Sequence, residues 1–232
     1  MNTVLKPVLC VVTSNNVKGS TGIPTGFWLS ELTHVLEQLE KSGVPYELAS
    51  VKGGEPPVDK DSLDASDPVN EHYLNDAEFQ HQLKNTIKID DADASGYSAV
   101  FFAGGHGTMW DFADSEGIQK VTKEIYENGG LVSAVCHGPA ALVNVTLSDD
   151  TYLVDGKKLA AFTNDEEAEV QATDIVPFLL ETALINHGAL HHAASNWMKN
   201  VIADGRLITG QNPASAAGVG EELAKQLTNN SK

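Results

Sequence analysis

Short segments that are apolar at every position alternate along this chain with segments of helical periodicity. Residues 8–12, with the sequence Val-Leu-Cys-Val-Val, are typical of a strand that is covered on both faces in a parallel sheet. Further strands are predicted at residues 46–51, 98–102 and 131–135, and helices at residues 25–41, 77–87, 114–127, 174–185 and 214–227. The alternation predicts an α/β fold, doubly wound, with a mostly parallel sheet sandwiched between helices.

Capping and turn residues mark the ends of several predicted elements. Asp76 and Asp114 are predicted N-caps, because an aspartate side chain accepts hydrogen bonds from the free backbone N–H groups of a first helical turn. The pair Asp204-Gly205 between two apolar segments predicts a β-hairpin. Residues 52–75 have no periodicity and are predicted to form a long loop or insertion. No break in composition divides the 232 residues, so we expect one domain over residues 1–232.

The net charge excludes two classes of partner. The chain has 15 lysine and arginine residues against 32 aspartate and glutamate residues, a formal charge of −17. A nucleic-acid-binding protein needs a positive surface to displace counterions from phosphate, and an anionic membrane surface repels a chain of this charge. The sequence has two cysteines and no apolar segment of membrane-spanning length. We therefore expect a cytoplasmic protein with neither nucleic acid nor membrane as a partner.

Cys136 lies where a predicted buried strand meets a predicted helix. The residues two positions before and after it, Ala134 and Gly138, are both small. A nucleophile on a sharp strand-to-helix turn requires small neighbours, because the backbones approach closely there. The N-terminus of the following helix would favour the thiolate, and the His137 backbone N–H would supply half of an oxyanion hole. The alternative is a buried and inert cysteine, which is what we expect of Cys10.

Two other segments are predicted to meet this cysteine. The strand at residues 98–102 runs into a Gly-Gly-His-Gly sequence, and ligands of parallel α/β sheets bind beyond the carboxyl ends of the strands. The backbone around Gly105 and His106 is therefore a candidate for oxyanion and substrate binding, with a plain glycine turn as the alternative. Glu31 lies on or beside the apolar stripe of helix 25–41. A buried carboxyl there would have a raised pKa and could move protons, whereas one at the edge of the stripe would reach solvent.

Residues 162–167 follow another predicted strand and contain three adjacent acidic residues. Their carboxylates could orient His137 as the third member of a Cys–His–acid set, or they could simply begin a helix. We expect no metal, because no ligand spacing closes a site between the cysteines and the C-terminal histidines, which are His187, His191 and His192. Core packing is the default expectation for three aromatic residues that could instead line a pocket, Trp110, Phe112 and Trp197.

These motifs resemble the ThiJ/PfpI superfamily, which has the fold of class I glutamine amidotransferases. The likeness is carried by Ala-Val-Cys-His-Gly-Pro at residues 134–139 and by Phe-Ala-Gly-Gly-His-Gly-Thr at residues 102–108. Segments 25–31, 162–167 and 204–215 add three further matches in the same order along the chain. Within the superfamily the chain is most similar to the branch of heat-shock chaperones and glutathione-independent glyoxalases, also called glyoxalase III.

The resemblance implies a role for several residues. Cys136 matches the nucleophile, His137 its histidine partner, Glu167 the acid of the triad, and Glu31 the glutamate that hydrogen-bonds the cysteine sulfur. The adjacent Glu166 leaves open which glutamate is the acid. The resemblance also implies a flavodoxin-like fold, a homodimer, and conversion of methylglyoxal to lactate with no cofactor. For some members it implies deglycase, chaperone or peptidase activity.

Three functions remain open from the sequence. In the first, a glyoxalase, the Cys136 thiolate adds to a small aldehyde and Glu31 relays a proton through an enediol. The second is a cysteine peptidase or amidase that uses Cys136 and His137; it ranks lower because adjacent side chains on a sharp turn often point apart. The third is a non-enzymatic stress chaperone or redox sensor, since an exposed thiol of low pKa oxidises readily.

Overall fold

A seven-stranded sheet forms the centre of the molecule in the computed structural model, which describes residues 5–229. The strands are β1 (Val8–Val12), β2 (Tyr46–Ser50), β3 (Ile87–Lys88), β4 (Ala99–Phe102), β5 (Leu131–Val135), β6 (Lys158–Leu159), β7 (Leu190–His191), β8 (Val201–Asp204) and β9 (Leu207–Gly210). The order across the main sheet is β3-β2-β1-β4-β5-β9-β8, and β6 and β7 form a separate two-stranded sheet. Every pair in the main sheet is parallel except β8 with β9.

Helices pack against both faces of this sheet. Eight α-helices lie within residues 5–229, namely α1 (Leu29–Lys41), α2 (Pro68–Asn75), α3 (Ala77–Lys84), α4 (Thr108–Asp111), α5 (Glu116–Glu127), α6 (Asn164–Glu169), α7 (Leu180–Asn186) and α8 (Ala216–Asn229). The apolar side chains of α1 and α8 belong to one core cluster, and those of α5 and α7 belong to the other. The predicted doubly wound α/β fold is therefore confirmed.

Strand β1 shows why its segment is apolar at every position. Leu9 and Val11 contribute to the core on the face that α5 covers, whereas Val8, Cys10 and Val12 contribute to the core under α1 and α8. Successive side chains of a strand point to opposite faces, so a strand covered on both sides has no polar face. Because β1, β4, β5 and β9 run parallel, their carboxyl ends lie along one edge of the sheet.

The predicted hairpin is also present, but several helix boundaries were wrong. Strands β8 and β9 are antiparallel around Asp204-Gly205. Helix α1 begins at Leu29 rather than at residue 25, because the preceding backbone pairs with other loops: Phe27 N–H donates to Pro57 O and Trp28 N–H to Gly104 O. Helices α7 and α8 begin at Leu180 and Ala216, later than the predicted residues 174 and 214.

The segment at residues 52–75 is only partly a loop. Helix α2 occupies its last eight residues, with Asp67 as the N-cap that accepts hydrogen bonds from Val69 and Asn70 N–H. Its few apolar positions give no helical period, which is why the sequence pattern missed it. Asp76 caps α3 as predicted, but α3 ends at Lys84, since the chain then enters the edge strand β3.

The predicted N-cap of α5 was wrong by one residue. The N-cap is Ser115, whose side chain accepts a hydrogen bond from Ile118 N–H, and not Asp114. In the described range, no helix is both long and apolar enough to cross a membrane.

Cys136 lies on a sharp turn at the end of β5, with a left-handed φ of 62°. The chain continues into a five-residue 3₁₀ helix at Gly138–Leu142, not into the predicted α-helix. Both neighbouring glycines are needed for this turn to pack. A Cβ on Gly138 would lie 2.3 Å from Phe102 O, and a Cβ on Gly104 would lie 2.7 Å from Val135 O. The loops after β4 and β5 are therefore in direct backbone contact.

We expect Gly138→Ala to lower the free energy of unfolding by about 1–3 kcal/mol, because the added methyl group overpacks a backbone contact that has no flexible side chain to move aside. The matched control is Gly96→Ala, where an added Cβ has no neighbour within 4 Å. We expect the control to change stability by no more than about 0.5 kcal/mol. Urea unfolding measures both, and equal stabilities for the two variants would contradict the account of this turn.

Candidate active site

A small pocket at the carboxyl edge of the sheet contains the reactive residues. Its volume is about 90 Å³, and its polar lining comprises Glu31, Gly105, His106, Cys136 and His137. Two larger depressions on the described surface, of about 480 and 440 Å³, contain no cysteine or histidine. The chemistry therefore points to the smaller pocket, where the start of α1 meets the turns after β4 and β5.

The turn holds the Cys136 sulfur beside an imidazole. The Cys136 N–H donates to Gly210 O and the Cys136 carbonyl accepts from Phe162 N–H, both at 2.9 Å, so neighbouring segments fix the backbone on both sides. The Cys136 Sγ lies 3.5 Å from His137 Nδ1. The two adjacent side chains therefore meet, which removes the objection that they would point apart.

Burial controls the acidity of the Cys136 thiol. Burial raises the pKa of Cys136 well above the ordinary thiol range, and the nearby charge of Glu31 raises it further. The expectation that a helix N-terminus lowers this pKa is wrong, because only a short 3₁₀ helix follows and burial dominates. The thiol must therefore give its proton to a neighbouring base before it can react.

Glu167 binds two histidines at once. Its Oε2 lies 2.7 Å from His137 Nε2, and its Oε1 lies 2.6 Å from His106 Nε2. Although burial opposes ionisation, the charge of His137 and the hydrogen bonds from both imidazoles hold the pKa of Glu167 well below its usual range. An ionised carboxylate only accepts hydrogen bonds, so both Nε2 atoms carry protons. In the neutral form of His137 this tautomer leaves Nδ1 free to accept from the thiol.

His106 is held in its neutral form. Burial and the nearby charge of His137 lower the pKa of His106 to about 4, although Glu167 acts in the opposite direction. Its side chain lines the pocket beside the His137 ring, with the ring centroids 4.3 Å apart. Neutral His106 can therefore contact a substrate oxygen without adding a second positive charge.

Glu166 has a different set of partners from its neighbour. Its Oε2 accepts from Thr163 N–H, in a capping box at the start of α6, and its Oε1 accepts from Trp197 N–H and from the side-chain amides of Gln211 and Asn212. Of the two glutamates, Glu167 is therefore the one whose carboxyl group contacts His137. The acidic segment therefore contains both features that the sequence suggested. Glu166 belongs to the capping box that begins a helix, and Glu167 contacts His137.

Glu31 is fully buried, so the alternative that it reaches solvent is wrong. Neither of its carboxyl oxygens has a well-formed hydrogen bond within residues 5–229. Burial raises the pKa of Glu31 to about 8, and the smaller opposing influences are the Cys136 side chain and the Gly104 backbone N–H. A carboxyl group with this pKa, next to a thiol and an open pocket, can both take up and release a proton near neutral pH.

The candidate oxyanion hole lies between the two turns. Gly105 has a φ of 101°, and a Cβ there would lie 2.5 Å from Gly26 O, so this backbone requires glycine. The Gly105 N–H has no acceptor among residues 5–229. The His137 N–H lies on the other side, next to the Cys136 sulfur. Two backbone donors therefore flank the Cys136 sulfur, in the arrangement that an oxyanion hole requires.

The C-terminal histidines do not meet the two cysteines. His187 Nδ1 contacts Val143 O, and His191 lies between Ala161 and Glu181. In the described part of the chain, one set could hold a metal ion, namely the Nε2 atoms of His106 and His137 with a Glu167 oxygen, all within 4.8 Å. The same atoms already make the hydrogen bonds of the Glu167 pair, so a metal ion would have to replace those bonds.

Aromatic and aliphatic side chains form the rest of the pocket wall. They are Trp28, Phe162, Val170, Trp197 and Pro213. Among them the sequence had offered only Trp197, for which the default expectation of core packing is wrong. Phe162 packs against the His137 ring, with 4.1 Å between the ring centroids. Its position directly before the Thr163 N-cap is the sequence feature that could have predicted its place in the pocket. Phe112 and Trp110 pack with the core, as the default expectation had it.

The chain is similar in sequence to proteins of one family over most of its length. The model of the DJ-1/PfpI family matches residues 22–226. The protein named Glyoxalase 3 from Candida albicans is 33% identical over 232 residues, which cover 95% of this chain and 97% of that protein. The glutathione-independent glyoxalase HSP31 of Saccharomyces cerevisiae is 33% identical over 222 residues, covering 91% of this chain and 93% of that protein.

The fold has a near match among solved structures. The Rapid Encystment Protein 24 kDa from Francisella tularensis superposes with a TM-score of 0.93 at 38% sequence identity. The match covers 96% of this chain and 99% of the other. The sheet and its flanking helices are therefore shared over essentially the whole described chain.

We expect Glu31→Gln to move the alkylation of Cys136 by iodoacetamide to lower pH. The variant removes a negative charge that raises the pKa of the thiol while keeping the size of the side chain. Mass spectrometry of labelling rates across pH measures the shift. Cys10 is the internal control, since it is fully buried and its thiol pKa is raised by burial. A midpoint that stays in place or moves to higher pH would show that Glu31 does not act on the sulfur.

Proposed function

The chain belongs to the DJ-1/PfpI family, and we propose that it is a glutathione-independent glyoxalase that converts methylglyoxal to lactate without a cofactor. One observation carries this proposal. A thiol, the imidazole of His137 and a buried carboxyl group with a pKa of about 8 meet in one small pocket. The relatives named as glyoxalases supply the reaction class, and this set of groups supplies the proton transfers that the reaction needs.

The first step joins the sulfur to the aldehyde. His137 Nδ1 takes the proton of the Cys136 thiol, and the thiolate forms an S–C bond to the aldehyde carbon of methylglyoxal. The electron pair of the C=O bond moves to oxygen, where the N–H groups of Gly105 and His137 stabilise the charge. Protonation of this oxygen by the imidazolium gives a hemithioacetal and restores neutral His137. Glu167 holds the ring in the required orientation.

The second step moves a proton between adjacent carbons. The ionised Glu31 removes the proton from the carbon bonded to sulfur, and the electron pair moves through a new C=C bond to the ketone oxygen, which gives a singly ionised enediol. The proton of the adjacent hydroxyl group passes to this oxygen. The C=O bond then re-forms at the carbon bonded to sulfur, while the neighbouring carbon takes the proton back from Glu31. The product is a lactate thioester of Cys136. His106 lies beside the pocket as a neutral group that can hydrogen-bond the enediol oxygens. Water activated by His137 then cleaves the S–C bond, which releases lactate and restores the thiol.

A hydrolytic function is the second candidate, and the contact between the two triad side chains favours it. The Cys136 Sγ lies 3.5 Å from His137 Nδ1, and His137 lies 2.7 Å from Glu167, so the three groups have the order of a cysteine peptidase or amidase triad. The glyoxalase remains the better proposal, because hydrolysis gives no role to the buried Glu31. Release of an amine from peptides, without consumption of methylglyoxal, would favour the hydrolase.

We also propose that the protein consists of one domain, is located in the cytoplasm and forms a homodimer. A single domain is supported by the one main sheet that runs from β1 near the N-terminus to β9 near the C-terminus. A cytoplasmic location is supported by the two free cysteines among residues 5–229. A homodimer is supported by exposed apolar side chains near the Tyr152–His187 stack, namely Tyr152, Ile185 and Leu190. Light scattering that gives the mass of one chain would contradict the dimer.

Cys136→Ala is expected to abolish the formation of lactate from methylglyoxal in the absence of glutathione, because no covalent adduct can form. Lactate is measured enzymatically, and far-ultraviolet circular dichroism confirms that the variant is folded. Cys10→Ala is the matched control and should retain activity, since Cys10 packs in the core under α1 and α8. Turnover by Cys136→Ala at the rate of the unmodified protein would refute the mechanism.

Glu31→Gln is expected to lower kcat/KM for methylglyoxal by about 100- to 10,000-fold, the usual contribution of a general acid–base group. In the unmodified enzyme, kcat/KM should rise with pH through about 8, because only the ionised form of Glu31 can remove the proton. Glu40→Gln, an exposed change near the end of the same helix, is the control. A Glu31→Gln variant that kept both its rate and its pH profile would assign the proton transfer to another group.

A further inference from the structure

The backbone of Trp197 is held in a conformation that bulky residues rarely adopt. Its φ is 62°, in the left-handed region. The Trp197 N–H donates to Glu166 Oε1 at 2.9 Å, and the same oxygen accepts from Asn212 Nδ2 at 2.9 Å. Glu166 is completely buried, so this carboxylate ties the Trp197 segment to the start of α6 and to the loop after β9. The conformation is therefore imposed by buried contacts and not by local sequence preference.

The indole ring is held by a second carboxylate. Trp197 Nε1 donates to Glu169 Oε1 at 2.9 Å, and Glu169 Oε2 accepts from the adjacent Asn196 Nδ2 at 2.7 Å. The ring contacts Phe162 edge-to-face, with 5.7 Å between centroids. About 40% of Trp197 is exposed, which places it at the pocket mouth and not in the core. The two carboxyl groups therefore fix both the backbone and the ring of Trp197 at the pocket mouth.

The size of the pocket makes the position of this ring decisive. The pocket is small, at about 90 Å³, and the Trp197 ring forms part of its wall. Methylglyoxal has five non-hydrogen atoms and phenylglyoxal has ten, so a fixed ring at this wall would exclude phenylglyoxal more strongly than methylglyoxal. Both molecules carry the same reacting 2-oxoaldehyde group, so only the bulk of the side group distinguishes them.

We propose that Trp197, oriented by Glu166 and Glu169, is the residue that restricts this pocket to small 2-oxoaldehydes by closing its mouth against bulkier ones. The inference rests on the proposed glyoxalase function and specifies its substrate class. Glu166 and Glu169 are positioning residues, because they act through Trp197 and do not touch the substrate. Val170 also lines the pocket, but it is an aliphatic side chain that no hydrogen bond can orient.

The test compares methylglyoxal with phenylglyoxal in three variants. Trp197→Ala should raise the ratio of kcat/KM for phenylglyoxal over methylglyoxal by about tenfold or more, since apolar side-group discrimination is of this size. Glu169→Ala keeps the ring but releases it, and should raise the same ratio by a smaller factor. Met198→Ala is the control, because Met198 is the exposed neighbour of Trp197 and does not line the pocket. An unchanged ratio in Trp197→Ala would overturn the proposal.

A second readout separates this proposal from the proposed function. Alkylation of Cys136 by iodoacetamide and by the bulkier N-benzyl iodoacetamide requires access to the sulfur but no turnover. Trp197→Ala should raise the rate with the bulky reagent relative to the small one, and Met198→Ala should leave the ratio unchanged. If the unmodified protein consumed no methylglyoxal, the glyoxalase assignment would fail, and the labelling ratio would still decide whether Trp197 closes the mouth. An unchanged labelling ratio would show that it does not.

Discussion

The left-handed backbone of Cys136 determines where the reactive groups of this protein lie. At a φ of 62°, the chain leaves β5 sharply and carries the sulfur out of the sheet toward His137 and Glu31. Such a conformation at a residue other than glycine costs about 1–3 kcal/mol and persists only when its surroundings enforce it. Here the enforcement comes from backbone hydrogen bonds to Gly210 and Phe162 and from close packing at Gly138.

Two glutamates at the site have pKa values shifted in opposite directions because their environments differ. Glu31 is buried without a well-formed hydrogen bond, so burial raises its pKa to about 8. Glu167 is also buried, but hydrogen bonds from His106 and His137 hold its pKa well below the usual range. One carboxyl group can therefore exchange protons near neutral pH, while the other stays ionised and fixes the imidazole. This separation is the usual way in which one site obtains both an acid–base group and an electrostatic anchor.

The acidic segment at the start of α6 shows which contacts a sequence pattern can predict and which it cannot. Adjacent helical residues point in directions about 100° apart, so Glu166 and Glu167 had to serve different neighbours. Their spacing could not show which one meets His137, because the histidine comes from a strand turn thirty positions earlier in the chain. The structure gives Glu167 to the histidines and Glu166 to a buried network that holds Trp197. The pocket wall was missed for a related reason, since its residues come from four separate segments.

Local patterns in the sequence were enough to predict the fold class, the turn that carries Cys136, and the edge of the sheet where the site lies. These features follow from local patterns: apolar strands, small residues around a nucleophile, and the rule that parallel strands end at one edge. Three further properties appear only in the folded chain: burial raises the pKa of the Cys136 thiol, His137 reaches the sulfur, and Trp197 lies at the mouth of the pocket. Those properties depend on burial and on contacts between distant segments, and neither burial nor distance between segments is encoded in local spacing.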